Sequence, residues 1–238
     1  MSQDSVRVSS ISNAASACGA FPFGLAAKGL HELIEGSYGD MAAITGLAAA
    51  LAPHKGAILW VGSGKAMHEH GYLSEVGAQV FGKRAQRYLA VRTRQDKDTL
   101  WVVDESVRSR AVACVIAEVE SADFTATRRL KLAAEQSGVP VVLLMPHTRE
   151  GASACETRWR VSSLSSASNP YDYRGVGKSR WRMKLERSRA APHRVGEVFD
   201  LEYDDETLSI RLVSGLVCGA IETVASAYGP SGDIRRTG

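Results

Sequence analysis

The sequence predicts an α/β fold: a mostly parallel sheet flanked by helices, with antiparallel strands added at the C-terminal side. Three apolar runs carry the first half of that prediction: AILWV at 57–61, VACVIAEV at 112–119 and VPVVLLM at 139–145. Each is continuous and short, as strands buried on both faces are. Segments of helical period lie between them, and repeated β-α-β units imply parallel pairing. After Pro146 the texture changes to short alternating stretches, which read as antiparallel strands at the sheet edge.

Taken in order, residues 1–28 are rich in Ser, Ala and Gly and form a flexible lead-in. Leu30, Leu33 and Ile34 make a short strand, residues 36–39 (GSYG) are turn chemistry, and Asp40 N-caps a long Ala/Leu helix. Leu73, Val76, Val80 and Phe81 recur at helical spacing before Gly82, and YLAV at 88–91 is another strand. Leu100, Trp101, Val103 and Val107 mark a helix over 98–110. The next helix, capped by Asp123 or Thr125, stops at Gly138, and Pro140 is tolerated at the start of a strand. The alternating stretches are 158–164, 180–187, 198–203 and 207–213; between the first two, 162–178 is a long mobile connection. One domain therefore spans 29–213, and 214–238 is a C-terminal helix and tail, the helix (216–228) carrying Val217, Ile221, Val224 and Ala225 on one face that either docks on the core, the favoured reading, or binds a partner.

At 238 residues the chain is long enough to bury an ordinary core, and 45% hydrophobic with 23% charged residues excludes a disordered or fibrous class. The formal charge of +3 permits nucleic-acid contact without requiring it. Cys18, Cys114, Cys155 and Cys218 are far apart and suggest neither a zinc site nor a disulfide framework. No apolar run approaches bilayer length, so the protein is expected to be soluble and cytoplasmic.

The strand-turn-helix at 29–52 is the layout of a phosphate-binding loop. G-x-x-x-x-G-K-[ST] needs glycines for close backbone approach, a Lys for the phosphates and a hydroxyl for magnesium. Gly36 starts the pattern and Gly39 and Asp40 follow, but the Gly, Lys and Ser/Thr places fall on Met41, Ala42 and Ala43. The loop is degenerate, and no cofactor is expected. A second fragment, Gly62-Ser63-Gly64-Lys65, has Leu59 and Ala66 where Gly and Ser/Thr are required and reads as a polar strand-to-helix turn. Glu118 ends the VACVIAEV strand, where a nucleotide hydrolase places a magnesium-holding acid. Without a lysine and hydroxyl opposite, Glu118 reads as a buried acid paired with Arg128 or His31, and Glu32 as a similar structural acid. His68 and His70 flank Glu69 in what reads as a loop, with no third metal ligand. Nothing nominates a nucleophile.

Between residues 158 and 194 basic residues dominate, and Arg-Trp-Arg occurs twice, at 158–160 and 180–182. On a strand, Trp159 or Trp181 takes one face and two arginines the other. Side by side, Arg158, Arg160, Arg180 and Arg182 make either a basic plate for DNA or a partner protein, or a charge-balanced edge facing Asp200, Glu202, Asp204 and Asp205. The plate reading expects Arg160→Glu with Arg182→Glu to weaken binding without unfolding the domain. Arg128 and Arg129 near the start of a helix oppose its macrodipole, which points to a binding role or to an ion pair with Asp123 or Glu118.

Several of these residues together resemble one family. His31-Glu32, Leu59-Trp60-Val61, Thr125-Ala126-Thr127-Arg128-Arg129-Leu130, Leu132-Ala133-Ala134-Glu135 and Thr157-Arg158-Trp159-Arg160-Val161 are similar, in order and context, to segments of ImuA proteins, RecA-like accessory factors of bacterial SOS mutagenesis. The resemblance covers roughly residues 29–200. It implies a RecA-like core without ATP chemistry, in which His31, Glu32, Glu118 and Trp159 are structural motif residues. It implies a non-catalytic component of the translesion mutasome as well. The implied partners are ImuB, an inactive Y-family polymerase homologue, and an error-prone C-family DNA polymerase, with RecA itself and DNA as further candidates. Two other readings are a divergent DNA-dependent ATPase of RecA type and a cell-division inhibitor, after the SulA-like label such proteins sometimes carry.

Overall fold

A computed structural model describes Leu25 and residues 28–216, apart from 54–55, 82–86, 170, 173 and 208. Nearly all of the N-terminal lead-in and the C-terminal helix and tail lie outside the described residues.

The first half alternates strand and helix: β1 (Leu30–Glu35), α1 (Met41–Leu51), β2 (Ala57–Ser63), α2 (Gly64–His70), α3 (Glu75–Phe81), β3 (Arg87–Thr93), α4 (Asp96–Ser109), β4 (Cys114–Glu118), α5 (Phe124–Ser137) and β5 (Val141–Met145). Four strands follow: β6 (Thr157–Leu164), β7 (Arg180–Ser188), β8 (Val198–Asp204) and β9 (Ser209–Leu216). They form one nine-stranded sheet in the order β3-β2-β4-β5-β1-β6-β7-β8-β9. The architecture is the predicted one, a mostly parallel RecA-like α/β core with an antiparallel extension. One detail differs: β6, expected to be antiparallel, runs parallel to β1, and the sheet turns antiparallel only at β7. The connection from β5 carries the chain back across the sheet before β6 begins, and parallel pairing requires that return.

Period-two alternation sends side chains to two cores. On one side Leu33, Ile58, Trp60, Ile116 and Leu144 pack against Ile44 and Leu47 of α1. On the other Ile34, Val61, Ala117 and Leu143 meet Val103 and Val107 of α4 and Leu130 of α5. Strands β6, β7 and β8 extend only the first core, through Trp159, Val161, Trp181, Met183, Phe199 and Leu201. Their opposite face carries the arginines of both Arg-Trp-Arg repeats, as alternation demands.

Local signals explain three of the helix ends. Asp123 caps α5, its carboxylate accepting from the Ala126 amide at 2.6 Å, and Gly138 ends it in the left-handed region at φ 79°. Ser63 accepts from the Ala66 amide to start α2, which places His68 and His70 on a helix and not in a loop. Periodicity misled in two places. Val76 and Val80 of α3 are exposed while Ala78 is buried and Phe81 joins the core, and Trp101 of α4 is 60% exposed. The 162–178 connection is drawn together by an Ala167 amide to Lys178 carbonyl bond and a bridge between Ser168 and Val176.

Gly36 is needed for space. A Cβ there would lie 1.8 Å from Ser162 Oγ, where the chain leaving β1 presses on β6 and the Gly36 amide bonds the Val161 carbonyl at 2.7 Å. Gly36→Ala is therefore expected to cost about 1–3 kcal/mol, read as a lower urea midpoint at unchanged slope. A loss below about 0.5 kcal/mol would show that β6 yields freely.

Candidate functional site: a crevice at the carboxyl ends of the parallel strands

In an open α/β sheet ligands sit outside the carboxyl ends of the strands. Here that region is a crevice of about 490 Å³ bordered by the β1–α1 loop, α2, the tip of β4 and the chain after β5. The degenerate loop is closed from within. Asp40, expected to cap α1, stands at the N-cap position but makes no side-chain cap bond. Its carboxylate turns back and accepts from the Ser37 amide and hydroxyl, both at 3.0 Å, and from the Ser163 amide at 2.9 Å. The amides of Gly36, Ser37 and Asp40 are thus all engaged inside the protein. Burial alone raises the Asp40 pKa, but the Ser163 amide and the Ser37 hydroxyl and amide outweigh it and hold the carboxyl below its usual range. A fixed negative charge occupies a loop that, in a nucleotide enzyme, surrounds phosphate.

Glu118 closes the other side. It is 7% exposed, and neither expected partner reaches it: Trp60 Nε1 donates to its Oε1 at 2.6 Å. The register explains this, since Trp60 lies opposite Ile116 and Gly62 opposite Glu118, which puts the indole and the carboxylate on a diagonal of one sheet face. Burial raises the Glu118 pKa against the opposing pull of the Trp60 bond and of His70. Its second oxygen, Oε2, is buried without a hydrogen-bond partner, as is Glu35 Oε1. Glu35 is 1% exposed, and its Oε2 accepts from the His147 amide at 3.3 Å. Glu69 and Glu120 stand at the rim, and Lys65 is held 2.6 Å from Glu120. Acids therefore prevail in a crevice whose usual occupant is an anion. Among the described residues no group of three or more His, Cys, Asp or Glu side chains is arranged to hold a metal ion.

The motif acids and arginines belong to other parts of the fold. His31 is buried and bonds Thr157 Oγ1 at 2.9 Å through Nδ1. Glu32, fully buried, accepts from Ser153 Oγ at 2.5 Å and from Arg158 Nε at 2.6 Å, with Arg149 3.7 Å away. Along the polar face of the antiparallel strands every arginine of the two repeats has its carboxylate. Arg158 pairs with Glu32, Arg160 with Glu186, Arg180 with Glu202, and Arg182 with Asp200 through two bonds of 2.8 Å. Arg160 Nη1 also donates to the carbonyls of Glu35 and His147 at 3.0 and 3.1 Å. The geometry is that of the charge-balanced face, and a charge-reversed Arg160 and Arg182 would each confront a carboxylate. Trp159 and Trp181 are buried as expected.

Arg128 and Arg129 fall in the second turn of α5. Arg129 lies 3.8 Å from Asp104 of α4, which also holds Arg108 at 3.1 Å, while Arg128 is exposed and makes no ion pair with Asp123 or Glu118. Sequence reasoning missed Glu35, His147, Asp104 and Ser153. Glu35 had a signal, a carboxylate one residue before the loop glycine, and Asp104 had one in Arg108 one helical turn on; the contacts of Asp104 with Arg129 and of Ser153 with Glu32 join residues far apart in the chain. Cys114 and Cys155 are free and buried, with thiol pKa values pushed by burial to about 12 and about 11. Among the described residues no helix is long and apolar enough to cross a membrane.

No family model matches the chain. Two curated relatives do, both named Protein ImuA, from Caulobacter vibrioides strains NA1000/CB15N and ATCC 19089/CIP 103742/CB 15. Each is 33% identical over 189 residues, covering 72% of this chain and 75% of the relative. With the RecA-like sheet and the motif residues in place within it, this extent of identity assigns the chain to the ImuA family.

Proposed function

We propose that this protein is a non-catalytic RecA-like accessory component of damage-induced translesion mutagenesis, acting through protein contacts and not through a nucleotide cycle. Family membership supports the pathway. The observation that carries the non-catalytic part is Asp40, whose ionised carboxylate consumes amide donors of a loop that already lacks the lysine and the magnesium-binding hydroxyl. Glu118, which would serve a magnesium ion in a hydrolase, is instead bonded to Trp60. An ImuB-like inactive polymerase and an error-prone C-family polymerase fit as partners by family analogy, with RecA and DNA as further candidates.

The test is genetic. Deleting the gene is expected to reduce ultraviolet-induced mutation frequency to the uninduced level. Lys65→Ala, which removes the lysine bordering the crevice, is expected to restore it as fully as the unmodified gene. No effect of deletion would remove the protein from mutagenesis. A Lys65→Ala allele that behaves like the deletion would favour the divergent ATPase instead.

A further inference from the structure

The crevice continues past Met41, His70 and Glu118 into a groove of about 270 Å³ between α1 and α3. Its floor is built from Trp60 and Phe81, and small residues at 42, 46, 49 and 78 keep it open. Tyr72, Val76 and Val80, on or just before α3, remain 69%, 76% and 54% exposed beside it. An apolar groove thus runs directly into an acidic crevice.

We propose that this joined surface receives a segment of a partner protein, an arginine entering the crevice between Glu35 and Glu118 and a neighbouring apolar side chain filling the groove. The inference rests on the reading of the protein as a non-nucleotide adaptor and names the chemistry its partner must bring. Glu35 and Glu118 are 1% and 7% exposed, each lines the crevice, and each holds one buried carboxylate oxygen with no hydrogen-bond partner among the described residues. A buried acceptor left unmatched is costly, and a guanidinium offers paired donors and the missing charge together. Lys65 is paired with Glu120 at the rim, and the cation-capable neighbours of the two buried acids are imidazoles, His147 at 3.6 Å from Glu35 Oε2 and His70 beside Glu118, so a guanidinium would bring the permanent charge. Glu69 and Glu120 add negative potential around the mouth, which favours approach of a cation. Loss of phosphate-binding chemistry has, on this view, inverted the charge of the ligand while keeping its place in the fold.

The isotope-labelled full chain is titrated with acetyl-leucyl-arginine amide and with its neutral citrulline counterpart while backbone amide resonances are followed. Saturable shifts at His70, Gly71 and Val119 are expected with the arginine peptide, and affinity about tenfold lower with citrulline. Glu118→Gln, which retains an acceptor for Trp60, is expected to erase that preference. Should it fail to fold, the exposed Glu69→Gln leaves the Lys65–Glu120 pair in place and is expected to weaken arginine-peptide binding about twofold. Equal affinity for both peptides, or shifts confined to other surfaces, overturns the proposal and leaves the adaptor reading intact. Magnesium-ADP shifting the same amides overturns both.

Discussion

Arg158→Met is expected to destabilise the protein by about 3 kcal/mol, because it strands the Glu32 carboxylate in a site with no exposure. Glu32 accepts from Ser153 as well, and Arg149 stands 3.7 Å away, so some compensation remains and the loss stays near the lower end for a broken buried pair. The double variant Glu32→Gln with Arg158→Met is expected to recover much of that loss, giving a coupling of about 2 kcal/mol in a urea-unfolding cycle. Strictly additive losses would mean the two side chains act separately. A stable Arg158→Met protein that has lost DNA or partner binding would return Arg158 to the basic-plate reading.

Trp159→Ala tests the other face of the same strand. The indole is fully buried and meets Phe199 of β8 edge-on, with ring centres 5.8 Å apart. It is one of the largest side chains in the core beneath α1, and truncation there costs about 3–5 kcal/mol through lost burial and the cavity left behind. Because β6 is flanked by β1 and β7, that cavity has strands on both sides and little freedom to collapse. A loss under about 1.5 kcal/mol would mean that Trp159 contributes little to the core. The pair of expectations assigns the Thr157-Arg158-Trp159-Arg160-Val161 motif to the joint between β1 and β6, with alternate residues serving alternate faces.

The fold was legible because its signals are local. The three apolar runs read as interior strands, Asp123 or Thr125 and Gly138 marked the two ends of α5, and the change of texture after Pro146 announced the antiparallel extension. The parallel pairing of β6 was not legible, since an alternating strand carries no mark of its neighbour's direction. The amphipathic reading of α3 failed for a related reason. Its valines look like core residues, but α3 packs through Ala78 and Phe81 beside α1 and leaves Val76 and Val80 outside.

Within the site, absence was easier to read than arrangement. Missing lysine and hydroxyl side chains are visible in the chain, whereas the turn of Asp40 back onto Ser37 and Ser163 depends on β6 passing beside the loop. Glu118 was recognised as a buried acid, yet its partner Trp60 was not, because the bond runs on a diagonal between two neighbouring strands whose register the sequence does not show. The arginine repeats showed alternation correctly; their cancellation by Glu186, Asp200 and Glu202 follows from the registers of β6, β7 and β8.

The most direct measurement is a titration of the purified protein with a fluorescent ATP analogue and magnesium, with and without single-stranded DNA. With Asp40 ionised inside the loop and acids lining the crevice, no saturable binding is expected up to roughly millimolar nucleotide, a limit equivalent to about 4 kcal/mol of affinity. Saturable binding that Glu118→Gln abolishes would contradict this, and would make the crevice a working nucleotide site in a RecA-type ATPase.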